Sequence, residues 1–226
     1  MKLSIIIPMY NEAATIGEVL EKVSNVPLDA IEKEIIVSDD GSTDGGLDIV
    51  RGRGAGINIC ASPVNRGKGA AIRNGMRAAT GDIILIQDAD LELDPNEYRS
   101  LLAPILAGKT DAVYGSRFLR QRGRIPLKTI MANKFLTFLT NILFQAHLSD
   151  METAYKVMST SVAKRLNLRR NRFDIEPEIT AGLLRSGYRI REVPISYNPR
   201  GSREGKKIGW RDGVRAIMTL ISLRLG

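Results

Sequence analysis

Residues 83–91 read Ile83-Ile84-Leu85-Ile86-Gln87-Asp88-Ala89-Asp90-Leu91. Four consecutive apolar side chains leave a strand with no polar face. Such a strand must be covered on both sides, as in a parallel sheet packed between helices. The run then ends in two acids separated by one alanine. In extended chain, residues i and i+2 project to the same side, so Asp88 and Asp90 face one way. Two carboxylates that close repel unless one takes a proton or a cation sits between them. Hard divalent ions such as Mg²⁺ or Mn²⁺ prefer carboxylate oxygens and bridge to phosphates. The small Ala89 leaves room for a bulky group to pass. The other reading is a solvated turn whose acids cap a helix starting at Pro95.

The same strand grammar recurs on either side. Residues 3–7, 34–38, 57–61, 82–87 and 112–115 read as short buried strands, the first ended by Pro8. Helices fall between them at 13–23, 47–51 and 95–106. Another follows the glycine-rich turn "NRGKG" and runs to Gly81. This alternation predicts an α/β fold with a mostly parallel central sheet and helices on both faces. After residue 117 the pattern changes. A basic loop leads to a long helix at 127–147, apolar over a broad face at Ile130, Met131, Phe135, Phe138, Leu139 and Ile142. An irregular stretch at 150–159 holds a strand at 155–158. A helix at 176–186, an edge strand at 192–197 broken by Pro194, and a basic glycine loop follow. The last helix carries Trp210, Val214, Ile217, Met218 and Ile221 on one side.

The 226 residues, 43% hydrophobic, suffice for one domain with an appendage. The single cysteine, Cys60, excludes an internal disulfide framework, and no leader is visible, which points to a reducing cytoplasmic setting. No apolar run approaches the ~20 residues that span a bilayer. The net charge of +8 is concentrated at the end: residues 164–226 hold 15 Lys and Arg against 6 Asp and Glu. That excess points to an anionic partner or to a solvated surface. No basic motif interleaved with aromatics supports nucleic acid. "NRGKGAA" lacks the spacing of a Walker phosphate loop, and no Gly-x-Gly-x-x-Gly follows the first strand. A lone His147 makes a zinc site or a Ser-His-Asp triad untenable.

In open parallel sheets ligands bind at the carboxyl ends of the strands. Four polar clusters fall at such ends: residues 8–12, 38–42, 87–90 and 115–117. At this point the chain resembles a known family. "SIIIPMYNE", "EIIVSDDGSTDGG", "NRGKGAAIRNGMRAATGD", "QDADLELDP" and "YGSRF" look like the family 2 glycosyltransferases of GT-A fold. "DMETAYKVM", "FDIEPEIT", "GYRIREVPISY" and "EGKKIG" extend the likeness to the polyprenyl- and dolichol-phosphate mannosyl or glucosyl transferases.

That resemblance implies one GT-A domain: a nucleotide-sugar-binding half at 1–117, an acceptor half at 118–200, and a basic loop with a C-terminal amphipathic helix at 201–226. Pro8, Tyr10 and Glu12 match a nucleotide-contacting loop, and Ser38 and Asp40 match contacts to base and ribose. Asp88, Ala89 and Asp90 match the D-x-D motif that holds a divalent cation, Mg²⁺ or Mn²⁺, and the donor diphosphate. Arg117 matches a phosphate-binding arginine, and Arg200 with Lys206 or Lys207 matches a basic pair over the phosphates. One departure stands out: Glu92 occupies a place where relatives often have glutamine.

The implied reaction is inverting transfer of a hexose from a GDP- or UDP-linked donor to a polyprenyl phosphate. A lipid phosphate is already an anionic nucleophile. A hydroxyl acceptor needs a base, for which Asp150 and Glu152 are the candidates. The amphipathic helices predict peripheral binding to the cytoplasmic face of an anionic membrane; the alternative is that they pack on each other or on a second copy. Rival readings are a glycosyltransferase acting on a sugar or glycolipid hydroxyl, and a non-catalytic membrane-binding accessory protein.

Overall fold

The computed structural model describes residues 1–54, 56–120, 125–199 and 209–225. Seven strands form one sheet: β1 (Lys2–Met9), β2 (Glu32–Asp39), β3 (Ile57–Ala61), β4 (Ile83–Ile86), β5 (Ala112–Ser116), β6 (Lys156–Ser159) and β7 (Ile190–Pro194). Their order is β3-β2-β1-β4-β6-β5-β7. Every pairing is parallel except the two made by β6, which runs antiparallel to β4 and β5. The carboxyl ends of the other six strands therefore share one rim with the amino end of β6.

The helices are α1 (Ile16–Asn25), α2 (Gly46–Gly52), α3 (Lys68–Ala78), α4 (Tyr98–Leu106), α5 (Leu127–Phe144), α6 (Thr160–Arg165), α7 (Ile175–Arg185) and α8 (Trp210–Leu225). The strand alternation splits the core in two. Ile5, Ile7, Val37, Leu85 and Val113 point to the face covered by α1 and α4. Ile6, Ile36, Ile84, Ile86 and Tyr114 point to the face covered by α3, α6 and α7. This two-sided burial is what the unbroken apolar runs require. A third cluster joins α5 to α8 through Leu136, Ala216 and Leu220, with Leu148 and Met151.

Several sequence expectations are corrected. β1 does not end at Pro8 but pairs through it to Met9. The Ile6 carbonyl accepts from Gln87 N–H, so Pro8, two residues on, faces the β4 side as well. The β1–β4 ladder stops at Ile6 and Ile86, so no partner there misses the N–H that proline lacks. α3 ends at Ala78 rather than Gly81, because Ala79 turns extended. α5 ends at Phe144, where Gln145 adopts φ 53°, and His147 lies in the following loop. The edge strand is residues 190–194 rather than 192–197. A six-residue helix, α6, was not expected; the Ser159 hydroxyl caps it by accepting from Val162 N–H.

Candidate active site

The rim is assembled by backbone capture between loops. After β1, Asn11 takes a left-handed φ of 52°. Its N–H donates to Ser42 Oγ at 3.0 Å and its Oδ1 accepts Thr43 N–H at 2.8 Å. The loops after β1 and β2 are thereby fastened together. Thr15, not singled out from sequence, donates its hydroxyl to the Ala89 carbonyl at 2.8 Å and ties α1 to the D-x-D segment. Tyr10 is 37% exposed at this rim, whereas Pro8 and Glu12 are buried beneath it.

The residues expected at base and ribose turn inward. Ser38 is fully buried, and its hydroxyl has no hydrogen-bond partner among the described residues. Asp40 accepts Arg66 N–H at 3.0 Å and Gly67 N–H at 2.6 Å, so its carboxylate builds the glycine turn ahead of α3. Burial raises the Asp40 carboxyl above the ordinary range, with those two amides opposing the shift.

The segment after β4 is held from below. Gln87 is fully buried, and its Oε1 accepts the hydroxyls of Tyr98 at 2.8 Å and Tyr155 at 2.7 Å. Its Nε2 donates to the Asp88 carbonyl at 3.1 Å. Asp88 and Asp90 are half-buried at the mouth. Asp90 Oδ1 accepts Glu92 N–H at 3.1 Å, and Asp88 Oδ1 meets Lys68 Nζ at 2.8 Å. Lys68 is the main residue that sequence reading passed over. The only signal was its place in "RGKG", directly ahead of a helix on the rim.

Among the described residues no group of three or more His, Cys, Asp or Glu could by itself hold a metal. Two partly exposed carboxylates on the rim nevertheless fit a hard divalent ion that takes its remaining ligands from phosphate and water.

Opposite this acidic end sits Arg117. Its Nε donates to Asp150 Oδ2 at 2.8 Å and its Nη2 to Oδ1 at 2.7 Å, and its backbone N–H reaches Oδ2 at 3.0 Å. Asp150 is fully buried, so the pair is a fixed fork, and Arg117 is held charged well above its usual range despite its own burial. Glu192 accepts the N–H groups of Ser149 and Asp150 and anchors that loop to β7. This bonding removes Asp150 as a free base. Glu152 is different: its Oε1 is shut off from solvent without a hydrogen-bond partner among the described residues. Burial, and then the charge of Glu176, push its carboxyl up to about 7.

Glu92 also has a defined place. Its Oε2 accepts the Tyr197 hydroxyl at 2.9 Å, its carbonyl accepts Asn198 N–H at 2.9 Å, and the Tyr197 ring lies 5.3 Å from the Arg117 guanidinium. Arg200, Lys206 and Lys207 lie outside the described residues.

Beyond Arg117, Phe118 sits between two cations, the Arg117 guanidinium at 5.8 Å and the Lys134 ammonium of α5 at 5.0 Å. α5 packs on α8, as the alternative reading held, yet both helices keep an exposed apolar stripe. On α5 it is Leu127, Met131, Phe135, Phe138 and Ile142; on α8 it is Trp210, Val214, Met218, Ile221 and Leu225. The two stripes have the same spacing. Ile217, expected with them, packs inward. No helix of the described residues is long and apolar enough to cross a membrane.

Residues 4–166 match the family described as glycosyl transferase family 2. The dodecaprenyl-phosphate galacturonate synthase of Rhizobium johnstonii is 28% identical over 232 residues, which cover 99% of this chain and 66% of that protein. The dolichyl-phosphate beta-glucosyltransferase of Trichomonas vaginalis is 28% identical over 216 residues, covering 87% and 65%. The chain thus spans about two thirds of the length of these curated relatives. The crystal structure of glucosyl-3-phosphoglycerate synthase from Mycobacterium tuberculosis, with Mn²⁺, UDP and glucosyl-3-phosphoglycerate, aligns with a TM-score of 0.75. It covers 98% of this chain and 79% of that one at 20% identity, a likeness of fold.

Proposed function

The chain belongs to glycosyl transferase family 2, and from that membership we propose that this glycosyltransferase moves a hexose from a UDP- or GDP-linked donor to the phosphate of a polyprenyl lipid. The observation that carries the lipid acceptor is Phe118, whose ring bridges the buried-anchored Arg117 and Lys134 of α5. A phosphate met by Arg117 thus has its tail directed toward the helix that exposes Met131, Phe135 and Phe138. The names of the two curated relatives point to the same class of acceptor.

In this reading the donor diphosphate lies along the rim between the β1 and β4 ends, with the nucleoside near Tyr10, Glu12, Ser38 and Asp40. Asp88 and Asp90 would hold the divalent cation, which when bound would supply charge stabilisation to the departing diphosphate. Arg117 orients the acceptor: two of its N–H groups are fixed by Asp150, and the rest of the fork is set for a phosphate. An acceptor phosphate oxygen attacks the anomeric carbon from the side opposite the leaving group. The bond to the nucleoside diphosphate breaks with inversion, and no proton needs to be removed. The burial that raises the Glu152 carboxyl favours its neutral form and so lowers its repulsion of an incoming phosphate. The apolar stripes of α5 and α8, flanked by Lys128, Lys134, Arg211 and Arg215, hold the enzyme peripherally on the cytoplasmic face of an anionic membrane.

The test is transfer of label from UDP-glucose and GDP-mannose, with Mg²⁺ or Mn²⁺, to polyprenyl phosphate in detergent. The expected product extracts into organic solvent and releases its sugar in mild acid. Label that passes only to water-soluble acceptors such as 3-phosphoglycerate overturns the lipid assignment and leaves the family membership standing.

A further inference from the structure

The acidic end of β4 is already neutralised from inside the chain. Lys68 Nζ lies 2.8 Å from Asp88 Oδ1 and 3.0 Å from Glu176 Oε1, and its side chain is only 15% exposed. Glu176, at the start of α7, is itself buried and pairs with the fully buried Lys156 at 2.5 Å. Lys156 in turn donates to the carbonyls of Met151 and Thr153, in the loop that carries Glu152. Glu176 thus has a second cation, and Asp88, 25% exposed against 5% for Glu176, is the partner of Lys68 nearer to solvent.

The fold fixes where Lys68 stands. It is the first residue of α3, and the turn ahead of it is pinned by Asp40. Gly67 has a φ of 109°, and a Cβ there would stand 2.5 Å from the Asn171 carbonyl. A Cβ on Gly69 would stand 2.4 Å from the Arg170 carbonyl. The backbone around Lys68 is clamped against residues 170–172, so only the side chain can move. Burial acts against its charge, but Asp88 and Glu176 outweigh that and keep it an ammonium well above its usual range.

We propose that Lys68 is a resident cation of the donor site, which competes with the divalent ion for Asp88 when no nucleotide is present and turns to the diphosphate when the donor arrives. This rests on the reading of Asp88 as a metal-side carboxylate. A divalent ion on Asp88 with Lys68 still in contact places positive charges a few ångströms apart, a repulsion only partly damped at a half-buried site. The diphosphate removes that conflict by giving both cations an anion. Lys68 therefore makes the metal arrive with the nucleotide rather than before it.

The experiment measures binding, not turnover. Mn²⁺ affinity is read by electron paramagnetic resonance without nucleotide, and UDP and GDP affinity by calorimetry in EDTA. Lys68→Gln should tighten Mn²⁺ about tenfold and weaken the metal-free diphosphate about tenfold, two shifts of opposite sign. A purely structural lysine moves both the same way or neither, and either result overturns the proposal. Asp88→Asn separates the two readings. If it leaves nucleotide-dependent Mn²⁺ binding intact, the metal assignment of Asp88 fails and the proposal falls with it. If it abolishes that binding while Lys68→Gln changes nothing, only the role of Lys68 fails. Should Lys68→Gln not fold, Asp88→Asn carries the test alone. It releases Lys68 and should strengthen metal-free UDP binding; unchanged or weaker binding overturns the proposal.

Discussion

The hydroxyl of Tyr197 donates to Glu92 Oε2 at 2.9 Å, and the same ring stacks 5.3 Å from the guanidinium of Arg117. Glu92 lies just past the D-x-D segment and Arg117 at the end of β5, so one tyrosine spans the β4 and β5 ends of the rim. The Glu92 side chain and carbonyl therefore clamp residues 197 and 198 against the segment that follows β4.

That geometry sets the cost of changing it. An amide oxygen accepts a tyrosine hydroxyl as a carboxylate does, so Glu92→Gln should lower stability by less than about 1 kcal/mol. Tyr197→Phe loses the bond but keeps the ring over Arg117, and activity should fall only a few-fold. Tyr197→Ala removes the ring as well and should lower kcat/KM for the acceptor about tenfold, a cation–π contact at a partly buried site. Steady-state kinetics with varied acceptor decide it; equal losses for Phe and Ala would show that the ring does not position Arg117.

The apolar stripes make a second prediction. Phe135 is 56% exposed and Met218 64% exposed, so charge at either position meets water and should change stability by no more than about 0.5 kcal/mol. On a bilayer the same charge must leave the interface. Phe135→Asp with Met218→Asp should abolish flotation with anionic vesicles at low salt while leaving nucleotide affinity near wild type. Wild-type protein that fails to float, or that elutes as a dimer which the double variant breaks, would assign the stripes to a second copy.

Much of the sheet was legible because burial on both faces leaves a mark that survives in sequence: Ile5, Ile6 and Ile7 must all be apolar when alternate residues face different helices. The reversal of β6 left no such mark, since four buried residues read the same in either direction. The D-x-D, Arg117 and Asp150 could be singled out because they sit at strand ends or in loops of unusual composition. Lys68 could not, because its meaning depends on Glu176, which only the packing of α3 and α7 brings within 3.0 Å. Asp40 shows the converse: it stands at a strand end, yet both its oxygens go to backbone amides of the next turn. A sequence names candidates for a rim but not which of them turn inward.

Glu152 gives the last prediction, a pH dependence with a definite sign. Its carboxyl is pushed up to about 7 by burial and by Glu176, against 4.5 for an ordinary glutamate. Between those values the folded protein keeps a proton that the unfolded chain has released. Stability from this group is therefore complete below pH 4.5, declines as the pH rises toward 7, and is level above it. The loss is on the order of 2 kcal/mol, allowing for partial solvent screening. Glu34 runs the opposite way. Burial would raise it, but hydrogen bonds from Ser4 and Thr80 and the charge of Lys2 bring it to about 2, so its contribution is lost in acid. Comparison with Glu152→Gln cancels Glu34 and every other shared group. Urea unfolding from pH 4 to 8 should show the wild type losing ground to the variant between pH 4.5 and 7, and holding a constant difference beyond. A difference that stays flat across that window would place the proton elsewhere. In kinetics the same ionisation puts a negative charge beside Arg117. Acceptor KM should therefore climb above pH 7 in the wild type and stay level in Glu152→Gln.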